Sequence, residues 1–345
     1  MASTLNNTAW VEWMTKLMGG LSRQTLTAAF PPDRFYCLLD ELPLHLVPRH
    51  GRGSSPIKND HALYFNPECI LCGEGQVPGE LTARAELLDG FALQGTMAWV
   101  RNSAGRLQPF WLGSEFETLL RELRPNEPIG SSLTSSARRI LSTAGILISQ
   151  EELYQRDARP NKMIESASRM FRERDYAPLP GLIHPFHVAA LRRYYRHQIR
   201  SGIIRLGDRQ SPLRYVAHNE SVARFFHHQI AGILSAVAGE TLKPSYVYMA
   251  SYLAGAELKK HTDREQCEFS ITLCLDFSPE PKLATPWPIS MDTPNGKVTV
   301  YQAMGDGLAY RGTRLPHYRS PLGTGQTSTS VFFHYVSQDF TGPLE

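Results

Sequence analysis

The chain has 345 residues, 42% of them hydrophobic and 20% charged, the make-up of an ordinary soluble globular protein long enough for a substantial core. Its net charge of +3 comes from 36 basic and 33 acidic residues with no lysine or arginine run, so no nucleic-acid partner is expected. Nothing approaches the roughly 18 consecutive apolar residues of a membrane span, and the start "MASTLNNTAWVEWMTKLMGG" lacks the basic-then-apolar pattern of a leader. Five cysteines, Cys37, Cys69, Cys72, Cys267 and Cys274, are too few and odd in number for a disulfide framework. The expectation is a cytoplasmic protein with no membrane partner.

Residues 1 to about 75 are rich in proline, histidine and turn formers. Cys69-x-x-Cys72 is half of a zinc-knuckle signal, and Cys37, His45, His50 and His61 are too scattered to complete it. Two ordinary cysteines beside a turn is the simpler expectation. Across 97–112, two apolar runs flank Asn102-Ser-Ala-Gly105, which predicts a hairpin. Ser114 with Glu117 reads as a capping box before Leu119, Leu120 and Leu123, and a second helix, "SSARRILSTAG", runs into the apolar "ILIS". Hairpin, helix, helix and strand over about 80–150 make a small winged-helix-like order. It resembles the PqqD-like peptide-recognition domains in element order alone. An accessory domain over 1–165, of mixed α/β character, is expected.

Prolines and a glycine in "RDYAPLPGLIHP" place the entrance to a second domain, 175–345. Two amphipathic helices follow, 186–202 and 219–239; the second repeats its apolar residues at intervals of three and four, from Val222 to Val237. His227 and His228 are adjacent in that helix, so they point to different faces and are expected at its surface or boundary. After Gly239 the period becomes two. "SYVYMASY" alternates, and "FSITLCLDF" puts Phe269, Ile271, Leu273, Leu275 and Phe277 on one face with Ser270, Thr272, Cys274 and Asp276 on the other. Further strands are expected at 297–303, 305–312 and 328–336. Helices followed by short, closely spaced strands predict an α+β fold, an antiparallel jelly roll with helical buttresses. No glycine-rich phosphate loop follows a strand, so a nucleotide fold is not expected.

His261 and Asp263 stand two apart just before the strand at 269, so both side chains can face the mouth of a barrel. His317 comes 54 residues after Asp263, in "RLPHYRSP". Two imidazoles and one carboxylate form the facial triad of non-heme iron oxygenases, which leaves positions open for oxygen and a co-substrate.

On these residues the stretch from 186 to 345 resembles the Fe(II)/2-oxoglutarate-dependent dioxygenases, particularly the prolyl-hydroxylase-like branch. It carries Tyr252 and Gly255, His261-x-Asp263, "GDGLAYRG" and the distal His317. The resemblance implies a double-stranded β-helix (cupin-like), Fe(II) on His261, Asp263 and His317, 2-oxoglutarate and O2 as co-substrates, and ascorbate as a reductant. It implies oxidative decarboxylation to succinate and CO2 coupled to hydroxylation of an unactivated C–H bond. Halogenases of this class replace the carboxylate, so Asp263 favours hydroxylation.

One position departs from the pattern. The family usually places a lysine or arginine about ten residues past the distal histidine, and here that residue is Thr327. A buried carboxylate of 2-oxoglutarate needs a cation. Arg319, two residues past His317, is the expected anchor, helped by the hydroxyls of Tyr252 and Thr327, with Arg264 and Arg311 as rivals. The loop 279–291 is expected to overhang the mouth, with Trp287 lining the substrate pocket and Arg264 meeting a substrate carboxylate. The expected substrate is an amino acid, a peptide or a small metabolite. Two rival readings are a metal-binding barrel acting as a non-catalytic binding module and a cupin-like oxygenase that does not use 2-oxoglutarate.

Overall fold

The computed structural model describes residues 30–42, 62–102, 104–122, 128–129, 133–155, 162–208 and 210–345. His45, His50 and His61 lie outside them.

Among the described residues, the N-terminal part has five short strands, β1 (Leu63–Phe65), β2 (Cys69–Cys72), β3 (Met97–Arg101), β4 (Leu107–Trp111) and β5 (Leu147–Ser149). Its helices are α1 (Gly79–Thr82), α2 (Ser114–Glu122), α3 (Ser135–Thr143) and α4 (Gln150–Gln155). The expected order of hairpin, helix, helix and strand is present. β5, however, pairs with β1, and the β3–β4 hairpin takes β2 as its third strand. Cys69 and Cys72 end β2 as buried free thiols, and burial raises Cys69 to about 12. Neither belongs to a cluster of metal-ligating groups among the described residues.

α5 (Lys162–Arg174) leads into β6 (Tyr176–Leu179), and α6 (Pro185–Arg200) follows. After β7 (Arg214–His218) comes α7 (Ser221–Ala238), which Glu220 caps by accepting the amides of Val222 and Ala223. Gly239 stops α7 in the left-handed conformation, φ 77°. The remaining strands are β8 (Leu242–Tyr252), β9 (Leu258–His261), β10 (Phe269–Ser278), β11 (Ile289–Thr293), β12 (Gly296–Val300), β13 (Gly307–Arg311), β14 (His317–Arg319) and β15 (Thr327–Ser337). No helix of the described residues is long and apolar enough to cross a membrane.

From β8 onward the chain passes back and forth between two antiparallel sheets. One has the order β6-β13-β10-β15-β8-β7 and the other β12-β11-β14-β9. That interleaving is the strand order of a jelly roll. The two sheets meet face to face. Ile289 and Met291 of the smaller sheet pack with Leu308 and Tyr310 of the larger, and Trp287 packs with Tyr252, Phe277 and Phe332.

The outer face of the large sheet is the more apolar one. Val247, Met249, Phe269, Ile271, Val331 and Phe333 share one core with Phe225, Ile230 and Ile233 of α7, and that core continues through Phe35, Trp99 and Trp111 of the N-terminal part. Burying such an array against helices is worth about 25 cal/mol per Å² of apolar surface. The apolar stripe of β10 therefore faces the helices, and its polar stripe faces the barrel interior.

Two expectations are corrected here. His227 is buried, 2% exposed, with its ring Nε2 2.7 Å from the His334 carbonyl oxygen; its face of α7 packs on the sheet instead of meeting solvent. The alternation of β10 also fails at its end. A bulge between Cys274 and Asp276 inserts one extra residue. Asp276 turns outward to Arg192 (2.8 Å) and Arg196 (2.6 Å) of α6, and Phe277 turns inward.

Candidate active site

β9 and β14 are neighbours in the small sheet, and His261 is directly opposite His317. Their rings lie 4.4 Å apart. Each is oriented by the same device. His261 Nδ1 donates to the Lys259 carbonyl at 2.7 Å, and His317 Nδ1 donates to the Leu315 carbonyl at 2.9 Å. With Nδ1 carrying the proton, each Nε2 presents a lone pair. Both lone pairs aim at one oxygen: Asp263 Oδ1 is 3.7 Å from His261 Nε2 and 3.6 Å from His317 Nε2. Three acceptors thus converge with no proton between them, a repulsive set that a cation relieves. His317 is buried, and burial lowers its pKa against the pull of Asp263. It stays neutral, as a metal ligand must.

Asp263 is held from behind. Its other oxygen, Oδ2, accepts from Ser270 Oγ at 2.9 Å, and Ser270 Oγ lies 2.9 Å from His334 Nδ1. Ser270 has one proton, and it goes to the carboxylate. His334 Nδ1 must therefore be the donor to Ser270. Burial pulls the His334 pKa down to about 4, so the ring is neutral. The backbone of Asp263 is fixed as well, its amide donating to the Gly312 carbonyl at 2.9 Å. A Cβ on Gly312 would stand 2.3 Å from Asp263 Oδ2 and 2.4 Å from the Cys267 carbonyl oxygen. Only glycine allows that approach.

Two positions along β14 from His317, Arg319 also points into the barrel, 6% exposed. It donates to the Trp287 carbonyl, lies 3.4 Å from Gln302 Oε1, and stacks over the Trp287 ring at 4.8 Å. Gln302 cannot turn away, because its amide nitrogen donates to the Thr272 and Asp306 carbonyls at 2.9 and 3.0 Å. Arg319 Nε has no partner, and no carboxylate among the described residues pairs with the guanidinium. Burial lowers its pKa. The Tyr252 hydroxyl is also buried, with the Arg214 guanidinium beside it, and its ring meets Trp287 edge-on at 5.1 Å.

The other expected residues fall in different places. Thr327 shares its face of β15 with Val331 and Phe333, which pack toward the helices; alternation along the strand turns it away from Tyr252 and Arg319. Ser328 and Ser330, 3% and 1% exposed, occupy the interior face instead. Trp287 does not overhang the mouth. It is buried under Arg319, its indole N–H satisfied by the Ser320 carbonyl at 2.6 Å. Arg311 is spent outside the barrel on Asp175 (3.1 Å) and Glu240 (3.4 Å). Arg264 is exposed beside Asp263, donating to the Tyr246 hydroxyl at 3.1 Å. It makes no ion pair with Glu265 or Glu268.

No family model matches the chain, and no curated protein is similar to it at a significant level. Solved structures do match in part. The non-heme alpha ketoglutarate dependent epimerase SnoN from nogalamycin biosynthesis is 16% identical over 52% of this chain and 84% of its own, with a TM-score of 0.42. A Pseudomonas putida prolyl-4-hydroxylase is 15% identical over 51% of this chain and all of its own, with a TM-score of 0.43. HygX from Streptomyces hygroscopicus, solved with nickel, 2-oxoglutarate and hygromycin B, is 12% identical over 56% of this chain and 89% of its own, at 0.40. Likeness this distant carries no argument about chemistry.

Proposed function

We propose that this chain is an Fe(II)- and 2-oxoglutarate-dependent oxygenase that hydroxylates an unactivated C–H bond of an amino acid, a peptide or a small metabolite, releasing succinate and CO2. One observation carries the reading. Three cation-seeking acceptors converge at the barrel mouth, and two residues farther along the same strand a buried guanidinium lacks a counterion. A metal and a dianionic acid complete both ends of that arrangement.

His261 Nε2, His317 Nε2 and Asp263 Oδ1 would hold Fe(II), a donor set suited to that ion with positions left open. Bound there, iron supplies the one-electron chemistry that couples O2 to 2-oxoglutarate. Ser270 and His334 keep Asp263 turned so that one oxygen faces the metal. Arg319 binds the far carboxylate of 2-oxoglutarate, and Tyr252 adds a hydrogen bond from its hydroxyl. Trp287, Phe277 and Phe332 keep water away from that pairing, which strengthens it. Arg264, exposed at the rim, meets an acidic group on the substrate. Ascorbate would serve as reductant when turnover is uncoupled. The part up to 165 is read as an accessory unit, with the catalytic unit over 175–345. The barrel's first strand begins at Tyr176, which supports the division, although one core runs across it.

Anaerobic titration with Fe(II) and then 2-oxoglutarate tests the proposal. A weak visible charge-transfer band and succinate release on admitting oxygen are expected. Metal binding without 2-oxoglutarate binding favours a cupin-like oxygenase, and binding of both without succinate favours a non-catalytic module. Failure to bind Fe(II) removes all three readings.

A further inference from the structure

Tyr246 and Cys267 have no part in the proposed reaction, yet they stand beside its ligand cluster. Tyr246 lies on β8, and Cys267 closes the 3-10 turn Glu265–Cys267, which begins two residues after Asp263. The Tyr246 hydroxyl and Cys267 Sγ share a hydrogen bond of 3.1 Å. Both residues are buried, 8% and 2% exposed. Cys267 Sγ also lies within 4.8 Å of a carboxylate oxygen of Asp263 and of a ring nitrogen of His334.

Neither partner is free to turn away. The Tyr246 ring rests against His334 at 4.7 Å and Tyr248 at 6.4 Å, with the Arg264 guanidinium 5.7 Å over its face. Arg264 also donates to the hydroxyl at 3.1 Å. Ser245 Oγ fastens β8 to the turn by donating to the Gln266 carbonyl at 2.6 Å. A sulfur hydrogen-bonded to a phenol stands at the ring edge, beside the carbon next to the hydroxyl. Burial keeps the thiol and the phenol protonated, so no ionic step joins them. Their S–H and O–H bonds are, however, the weakest bonds to hydrogen that side chains offer. An oxidant generated beside Asp263 draws on such a fixed, adjacent pair first.

We infer that Tyr246 and Cys267 form a self-modification site, joined by a thioether between Sγ and the ring carbon beside the hydroxyl. The joining occurs when oxygen and 2-oxoglutarate react at the metal site without a primary substrate, so the inference rests on the oxygenase reading. One S–H bond and one ring C–H bond break and one S–C bond forms, which releases two protons and two electrons. 2-Oxoglutarate supplies two further electrons as it loses CO2. Dioxygen takes all four: one oxygen atom enters succinate, and the other leaves with the two protons as water. The link would tie the turn behind Asp263 to β8 and withdraw a thiol beside the metal ligands from further oxidation.

Full-length protein from anaerobic growth, loaded with Fe(II) and 2-oxoglutarate and then given oxygen without a primary substrate, provides the test. After thiol alkylation and tryptic digestion, the Tyr246 and Cys267 peptides should appear as one joined ion, lighter than their sum by two hydrogens. That ion should be absent without oxygen or without 2-oxoglutarate. It should also be absent from Cys267→Ala and Tyr246→Phe, both of which should still bind Fe(II) and release succinate. Succinate release with the two peptides separate, or with oxygen added to Cys267 or Tyr246 instead, overturns the inference and leaves the oxygenase reading standing. No succinate and no joined ion overturns both.

Discussion

Ser270 Oγ stands 2.9 Å from Asp263 Oδ2 and gives the carboxylate its proton in a hydrogen bond. Because His334 donates to Ser270 in turn, the carboxylate is held at the end of a two-link chain. Ser270→Ala removes the last link. Partners that orient a metal ligand are typically worth 10–100-fold in affinity, so Fe(II) binding should weaken by about that factor while the far-UV spectrum is unchanged. Titration with Fe(II) or Co(II) under anaerobic conditions measures it. Equal affinities in wild type and variant would mean that Asp263 holds its place without Ser270.

Gly312→Ala should be more severe. The new methyl would fall on Asp263 Oδ2 and on the Cys267 carbonyl, and the latter is backbone that cannot swing aside. Metal affinity should drop below that of Ser270→Ala, accompanied by a loss of about 1–3 kcal/mol in stability from overpacking. Chemical denaturation and metal titration on the same sample separate the two effects.

Arg319→Met separates ligand binding from folding. Without ligand, the wild-type protein carries a buried guanidinium that lacks an anion, a costly state. The variant should melt at the same temperature or higher, retain Fe(II), and lose measurable affinity for 2-oxoglutarate. Retained 2-oxoglutarate binding, read by calorimetry, would transfer the anchor to another residue.

Acid should unfold the protein in a defined window. Burial lowers His184 to about 4 and His187 to about 3 from an ordinary value of 6.5. Both are neutral in the folded state, whereas the unfolded chain protonates them below pH 6.5. Stability is therefore full above pH 6.5 and declines as pH falls toward 4, by up to about 1.4 kcal/mol per pH unit for each histidine. Urea midpoints between pH 7 and 4 follow the decline; a flat profile would show that these rings are accessible to protons when folded.

The cluster of His261, Asp263 and His317 was legible because its parts are local. His261 and Asp263 are two apart beside a regular strand, and His317 recurs at a distance that the sheet brings opposite. The inward placement of Arg319 was legible for the same reason, as its parity with His317 survives folding. Ser270 was visible only as one of four residues, with Thr272, Cys274 and Asp276, alternating with the apolar run from Phe269 to Phe277. Nothing in that stripe tells which face meets the helices, and apolar residues go outward here because α7 covers them. Gln302 sits in a loop without periodicity, so its side-chain oxygen facing Arg319 could not be foreseen. Thr327 was misplaced by a single step: counting from the histidine reaches it, but the pleat of β15 presents Ser328 and Ser330 instead. Trp287 was assigned to the mouth as part of a loop, whereas the size of its ring drew it into the core.

The irregularity at Leu275 acts as a shift of reading frame within β10. Had the strand kept strict alternation, Asp276 would have turned inward beside Cys274, whose thiol lies in the field of Arg319. The guanidinium would then have been neutralised from within, and Phe277 would have faced Arg192 and Arg196. One added residue keeps Asp276 on the outer wall. With the chain out of step at that one point, no carboxylate of the described residues pairs with the guanidinium inside, and an acid proposed to enter there would meet no competitor among them.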